Sequence, residues 1–270
     1  RKYGEFEFIL MNEDKFIKWK IDNDLDSLVR QLKKRKYRFS DKELDLLKIK
    51  IFSDGSSIAH TLASFRYKFP FDEICYMGNP ANYYGETIAH HMAMWNHKFS
   101  VEEILELGNP VDKNGFSIAH LMAQEGVKFS VEEIRELGNP VDKNGNTIAH
   151  LMVKEGHTFS VEEIRELGNP VNKDRKTVAH LMAHEVIALE REEFSVERIR
   201  KLSNPADRKT IAHLMAQEGH RFSLEEILEL GNPVNKHGFS IAHVMASRGH
   251  KFPIDQILLL GNSMDDEGDT

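Results

Sequence analysis

Seven histidines recur at near-constant spacing: His60, His90, His120, His150, His180, His213 and His243. Imidazole is a common metal ligand and titrates near neutral pH, so such a series first raises the question of chemistry. Five of the six steps are thirty residues, and the step from His180 to His213 is three longer. A fixed period of that size means stacked units, whose equivalent helices lie about 8–10 Å apart. Zinc, by contrast, holds imidazole nitrogens at about 2.0–2.1 Å, so rings of adjacent units cannot share an ion without distortion. His180 and His184 stand i, i+4 with Glu185 adjacent, but His-Glu-x-x-His is not matched and no third ligand is evident. Cys75 has no distinguishable base partner and reads as a half-buried helix residue. No phosphate loop or local catalytic motif occurs. The expectation is a chain with no catalytic residues, no cofactor and no metal.

The elements that place these rings are legible in the copy Gly138–Leu167, GNPVDKNGNTIAHLMVKEGHTFSVEEIREL. Asn144-Gly145 marks a tight turn. Thr147 stands where an N-cap belongs, able to accept from the N–H of Ala149 or His150. A short helix follows with Ile148, Leu151 and Met152 on one stripe, and Gly156 ends it as a left-handed residue. Ser160 with Glu163 reads as a capping box, and Phe159 with Ile164 as a hydrophobic staple. The signature recurs at Phe99-Ser100…Glu103, Phe129-Ser130…Glu133 and Phe222-Ser223…Glu226. Val161, Ile164 and Leu167 form the second buried stripe, Gly168 closes it, and Asn169-Pro170 predicts an extended exit. Each unit is therefore helix–turn–helix plus a turn, and the fold class is all-α.

From Thr147 to Gly168 this unit resembles the ankyrin repeat. Thr147-Ile148-Ala149-His150 matches its T-P-L-H motif in register, and Gly156-His157 falls at its Gly-His position. Val161, Ile164 and Gly168 fall at its helix-two Val, Leu and closing Gly. Proline and leucine of the motif are replaced by Ile148 and Ala149, and the period is thirty residues against about 33. The missing residues lie where that family builds its β-hairpin finger. The resemblance thus implies an ankyrin-like solenoid with short turns in place of fingers. It also implies that the repeated histidines tie each turn to its helix. The likeness spans about Ser53 to the C-terminus and bears on fold more than on function.

The organisation expected is an N-terminal cap over 1–52, then seven repeats over 53–270 with the start of an eighth. In the cap, Phe6, Phe8 and Ile9 suggest an extended arm, and Asp24 to Lys36 a helix with Leu25, Leu28, Val29 and Leu32 inside. Phe39-Ser40…Glu43-Leu44…Leu47 then restates the helix-two signature. Pro70 and Pro253 replace the capping serine in the first and last repeats. In the fifth, AHEVIALEREE lacks the Gly-His stop, so helix one should run on before a longer loop. The chain reaches the N-cap of an eighth helix one at Thr270, which suggests a fragment with any catalytic domain outside it.

Residues 1–52 carry a net charge of +4 and the repeats −11. Much of the acidity falls at helix-two starts, where it complements the helix dipole, and it argues against nucleic acid as a partner. The basic run Lys33 to Arg38 reads as a solvated helix end favoured by its dipole, or as a site for an acidic partner or nucleic acid. One cysteine fits a reducing compartment, hence the cytosol, or a host-cell cytosol for a secreted effector. No apolar run is long enough to span a membrane.

What varies between copies is the residue before the cap and the end of helix one. These positions give Phe65, Glu86 with Trp95, Phe116, Asn146, and Phe239 with Arg248 as candidate protein-binding residues. The expected function is a protein–protein interaction module that binds on its concave face. One alternative is the targeting arm of a larger enzyme or effector. Another is a scaffold that self-associates end to end. Phe65 and Trp95 could instead pack against the cap or an edge helix.

Overall fold

The computed structural model describes residues 25–50, 52–188, 195–202, 210–235 and 237–260. Sixteen helices form among the described residues. They are α1 (Leu25–Lys34), α2 (Asp41–Leu47), α3 (Ile58–Ser64), α4 (Phe71–Met77), α5 (Ile88–Ala93), α6 (Val101–Glu106), α7 (Ile118–Gln124) and α8 (Val131–Glu136). Then follow α9 (Ile148–Lys154), α10 (Val161–Glu166), α11 (Val178–Ala188), α12 (Val196–Leu202), α13 (Ile211–Gln217), α14 (Leu224–Glu229), α15 (Ile241–Ser247) and α16 (Ile254–Leu259). The chain divides into two compact units, Arg1–Glu155 and Gly156–Thr270. Within the first, α3, α5, α7 and α9 pack each against the next, as α2 does against α4. Within the second, α11, α13 and α15 form one row and α10 packs on α12. This is the adjacent pattern of a helical solenoid.

Helices of six or seven residues are too short to persist on propensity alone, so their ends carry the stability. In the third repeat the Ser117 hydroxyl accepts the His120 N–H at 3.3 Å, while His120 Nδ1 accepts the Ser117 N–H at 3.2 Å. This is a capping box with histidine in the place of glutamate. The same reciprocal pair opens α3, α5 and α15. Helix two uses the glutamate form: Ser130 N–H donates to Glu133 Oε2 at 2.6 Å, and Glu133 N–H to Ser130 Oγ at 3.1 Å. The expected boxes at Ser40, Ser100, Ser160 and Ser223 all form. Pro70 and Pro253 open α4 and α16 with no side-chain cap bond. Behind these caps Phe159 and Ile164 are buried, as are Ile148, Leu151 and Met152.

The exit from helix two departs from the expected extended form. Asn169 has φ 41°. Its N–H bonds Ile164 O at 2.9 Å while Gly168 N–H bonds Arg165 O at 2.9 Å, the pair of bonds that defines a Schellman close. Asparagine tolerates the left-handed region, and here Asn169 Oδ1 accepts the Ala179 N–H at 3.3 Å, satisfying an orphan donor of α11. The constraint that proline places on its predecessor is outweighed by these bonds.

Among the described residues the finger is reduced to isolated bridges, as at Val111↔Ser117, Val141↔Thr147 and Val171↔Thr177, and no β-ladder forms. Asx side chains close the described turns, as where Asp112 Oδ1 accepts the N–H groups of Asn114 and Phe116, both at 2.8 Å. Successive turns are then joined main chain to main chain. Tyr83 N–H donates to Asp54 O at 2.8 Å, Lys113 N–H to Tyr84 O at 2.7 Å, and Lys143 N–H to Asn114 O at 2.7 Å. Such close stacking needs glycine. At Gly115, with φ 82°, a Cβ would come within 2.9 Å of Asp142 Cα and Val141 O.

In the cap, α1 forms with Val29 and Leu32 buried, and Leu44 and Leu47 of α2 are buried as the restated signature requires. The side chains of Leu25 and Leu28, and the segment containing Phe6, Phe8 and Ile9, lie outside the described residues. In the fifth repeat α11 runs for eleven residues against six or seven in the other helix ones, as the missing stop implied. The loop at 189–194, the turn at 203–209 and residues 261–270 lie outside the described residues.

Two substitutions test this account. Gly115→Ala should cost about 1–3 kcal/mol through backbone strain, with the contact on Asp142 adding to it. His120→Ala should cost about 2–4 kcal/mol, because the Ser117 N–H and the Asn146 carbonyl both lose a buried partner. Urea unfolding midpoints within error of wild type for either variant would overturn it.

Candidate interaction surface

The surface formed by the turns and the ends of the helix-one row is set by the histidine of each repeat. The His60 Nε2–H reaches Glu86 O at 3.2 Å, His90 reaches Phe116 O at 3.0 Å, and His120 reaches Asn146 O at 3.2 Å. In the second unit His213 reaches Phe239 O at 2.9 Å. The other ring nitrogen accepts a backbone N–H, as at Ser57, Thr87 and Ser117. An N–H can only donate and a carbonyl can only accept, so the rings of His60, His90 and His120 are neutral with the proton on Nε2. Burial agrees: it pushes His60 down to about 4 and also lowers His90 and His120. The resemblance implied a tie from ring to cap. The link onward into the next repeat was not legible, because its partner lies twenty-six residues away.

Of the candidate residues, Glu86, Phe116, Asn146 and Phe239 are the residues whose carbonyls receive these rings. Asn146 is buried, 5 % exposed, with its amide donating to Asp142 Oδ2 at 3.0 Å, so its side chain belongs to the turn. The Phe116 and Phe239 rings are half-buried and lie edge-on to His120 and His243 of their own repeats. Phe65 is half-buried at the end of α3, and Arg248 is exposed at the end of α15. Trp95 is 41 % exposed and Met94 beside it 42 %. The Arg66 guanidinium lies over the Trp95 ring, 4.4 Å from its centroid.

Three features of the first unit were not singled out from sequence. Tyr83 and Tyr84, 60 % and 57 % exposed, occupy the turn tip where other repeats have Lys113-Asn114 and Lys143-Asn144. That replacement was a readable signal. The second is His91, standing where other repeats have Leu121 or Leu151. Its Nδ1 is 2.8 Å from Ser64 Oγ and its Nε2 is 3.6 Å from Glu86 Oε2, so serine, histidine and glutamate line up. The geometry does not make a nucleophile. Ser64 donates its proton to His60 O at 2.9 Å, leaving its oxygen to accept from His91 Nδ1. Nε2 is then the unprotonated nitrogen, and it stands too far from the carboxylate for a hydrogen bond. Glu86 is held instead by Asn82 Nδ2 at 2.9 Å. The cluster is a polar plug between turn and helix.

The third is Glu73, 3 % exposed, where Pro70 has removed the serine it would have capped. Its carboxylate turns instead to Arg38 Nε at 3.0 Å and to Phe39 N–H at 3.2 Å. Burial nonetheless pushes it up to about 7. Arg38 also pairs with Asp72. Cys75 is half-buried, its thiol pushed up by burial and by Glu106 at 3.8 Å, the reverse of an activated nucleophile.

Among the described residues no group of three or more His, Cys, Asp or Glu side chains is placed to hold a metal ion. Nor, among them, is any helix long and apolar enough to cross a membrane. No family model matches the chain, and no curated protein matches it.

The neutral rings predict acid sensitivity. His60 and His97 sit at about 4, and His90, His91 and His120 are lowered from an unfolded value of about 6.5. The unfolded chain therefore binds more protons in this window, and stability falls as pH drops from about 6.5 towards 4. Glu73 acts oppositely: its raised value adds stability as pH falls from about 7 towards the unfolded value near 4.5. Five rings outweigh one carboxyl, so thermal midpoints should fall between pH 7.5 and pH 5. Glu73→Gln should steepen the fall, and a flat profile would contradict the tautomer assignment.

Proposed function

We propose that the chain is a protein-binding module in which each unit, taken by itself, presents a contact surface built from its repeat turns and the ends of its helix-one row. The observation that carries this reading is Trp95. A large aromatic, 41 % exposed beside an exposed Met94, is stacked by the Arg66 guanidinium, 4.4 Å from its centroid. An aromatic that already has a stacking partner has less freedom to lose on binding, and tryptophan is enriched among residues that dominate interface energies. Tyr83 and Tyr84 add exposed aromatic surface in the same unit. Phe65, Glu86 and Phe116 there, and Phe239 and Arg248 in the second unit, supply residues that differ from copy to copy. The acidity of the repeats disfavours nucleic acid, and the exposed aromatics suit a protein partner. No small-molecule substrate or membrane is part of the reading. One half-buried thiol suits the reducing cytosol.

Trp95→Ala should weaken partner binding by about 2 kcal/mol, roughly thirtyfold, while leaving the unfolding midpoint near wild type. Glu132→Ala, on the exposed side of α8, serves as the control. Binding retained by Trp95→Ala but lost by Glu132→Ala would move the contact to the helix-two surface and refute the assignment.

A further inference from the structure

In each of His60, His90, His120 and His213 the Nε2–H finds a carbonyl twenty-six residues on, immediately before the next helix-one cap. His243 makes the same bonds to its own cap, Ser240 N–H at 3.1 Å and Ser240 Oγ at 2.8 Å. Its Nε2 is buried and has no partner. The same count from His243 ends on Asp269, outside the described residues, where the sequence Gly261-Asn262…Gly268-Asp269-Thr270 restarts the repeat.

Apolar positions on this end are uncovered to match. Ala63, Ala93, Ala123, Ala183 and Ala216 are 0–1 % exposed, and a valine, Val153, fits the same position at 1 %. Their counterpart Ala246 is exposed. Ile74, Ile104, Ile134, Ile164, Ile199 and Ile227 are all at 0 %, whereas Ile257 is at 37 %. Ile254, at 72 %, stands where Val101, Val131, Val161 and Val196 are buried and Leu224 half-buried. A buried donor without an acceptor is costly, and its register specifies what is missing: a turn carbonyl ahead of a helix cap, followed by an apolar helix pair.

We propose that the end face formed by α15 and α16 is a docking surface for one further helix–turn–helix unit of the same repeat, entering in register. That unit presents a turn carbonyl to His243 Nε2, its first helix to Ala246, and its second to Ile254 and Ile257. Leu258 and Leu259 are 72 % and 62 % exposed but occupy positions that stay exposed elsewhere, as at Arg165 and Glu166. They lie outside this surface and so separate stacking of a repeat from pairing of two copies through α16.

The test extends the full chain beyond Thr270 with the sequence Ile148 to Gly168, in a Cys75→Ser background. Ala246→Cys should react with a maleimide about tenfold or more slowly in the extended chain than in the unextended one. Leu258→Cys should react at the same rate in both, and the extension should raise the unfolding midpoint independently of protein concentration. Equal labelling of Ala246→Cys in the two chains overturns the proposal, whether or not the added segment is helical. Protection of both cysteines that grows with concentration in the unextended chain overturns it too, since a second copy would then be the occupant. Neither result bears on Trp95, which lies in the other unit.

Discussion

The constraint on which the described repeats depend is a tautomer. Each ring must be neutral, with an acceptor nitrogen towards its own helix cap and a donor towards the next turn. A leucine core would hold neighbouring helices together without specifying register. A ring with one donor and one acceptor, buried where an error leaves a polar group unsatisfied, specifies it to the residue. The main-chain bonds between turns, such as Lys143 N–H to Asn114 O, extend the same register to the finger edge. In a solenoid, stability is the sum of unit and nearest-neighbour terms, so the polar link contributes at the joints made by His60, His90, His120 and His213.

That link also bears on what the variable positions mean. The ring uses only the carbonyl of the residue before the next cap, so the side chain there is unconstrained by the joint. Glu86, Phe116, Asn146 and Phe239 fill the position in turn. Variation is therefore permitted by the architecture before it is required by any partner, and diversity alone does not locate a binding site. The stronger indications are departures that cost something. An exposed tryptophan stacked by arginine makes no bond in the joint, and at one turn tip two exposed tyrosines serve it through their main chains, which do not require aromatic rings.

What could be read from sequence was what acts over three to five residues. Ser160 with Glu163, Phe159 with Ile164 and the glycine stops are local devices, and each forms where its spacing placed it. The longer α11 followed from the absence of a local stop. The capping histidine was half legible: its place after Thr or Ser was plain, but that it serves as the glutamate of a capping box was not. What escaped depends on contacts across repeats. The Asn169 side chain reaching Ala179, the Ser64–His91–Glu86 plug and the redirected Glu73 all need a neighbour about ten to thirty-five residues distant.

The two capping boxes of each repeat differ in charge, and this gives the unit its electrostatic character. In helix two the partner is a carboxylate, and Glu163 is held below its usual value chiefly by the Ser160 N–H. It is anionic at neutral pH and sits at the positive end of a helix dipole on an exposed surface. In helix one the partner must be an uncharged ring, because the N-terminus it caps is buried against the next repeat and desolvation would penalise a carboxylate. One capping logic thus appears in two chemical forms, selected by burial. The acidic excess of the repeats is a consequence of the exposed form, and so identifies no ligand. A binding site has to be sought where neither box determines the residue, at the turn tips and the last turn of helix one. Trp95 stands there.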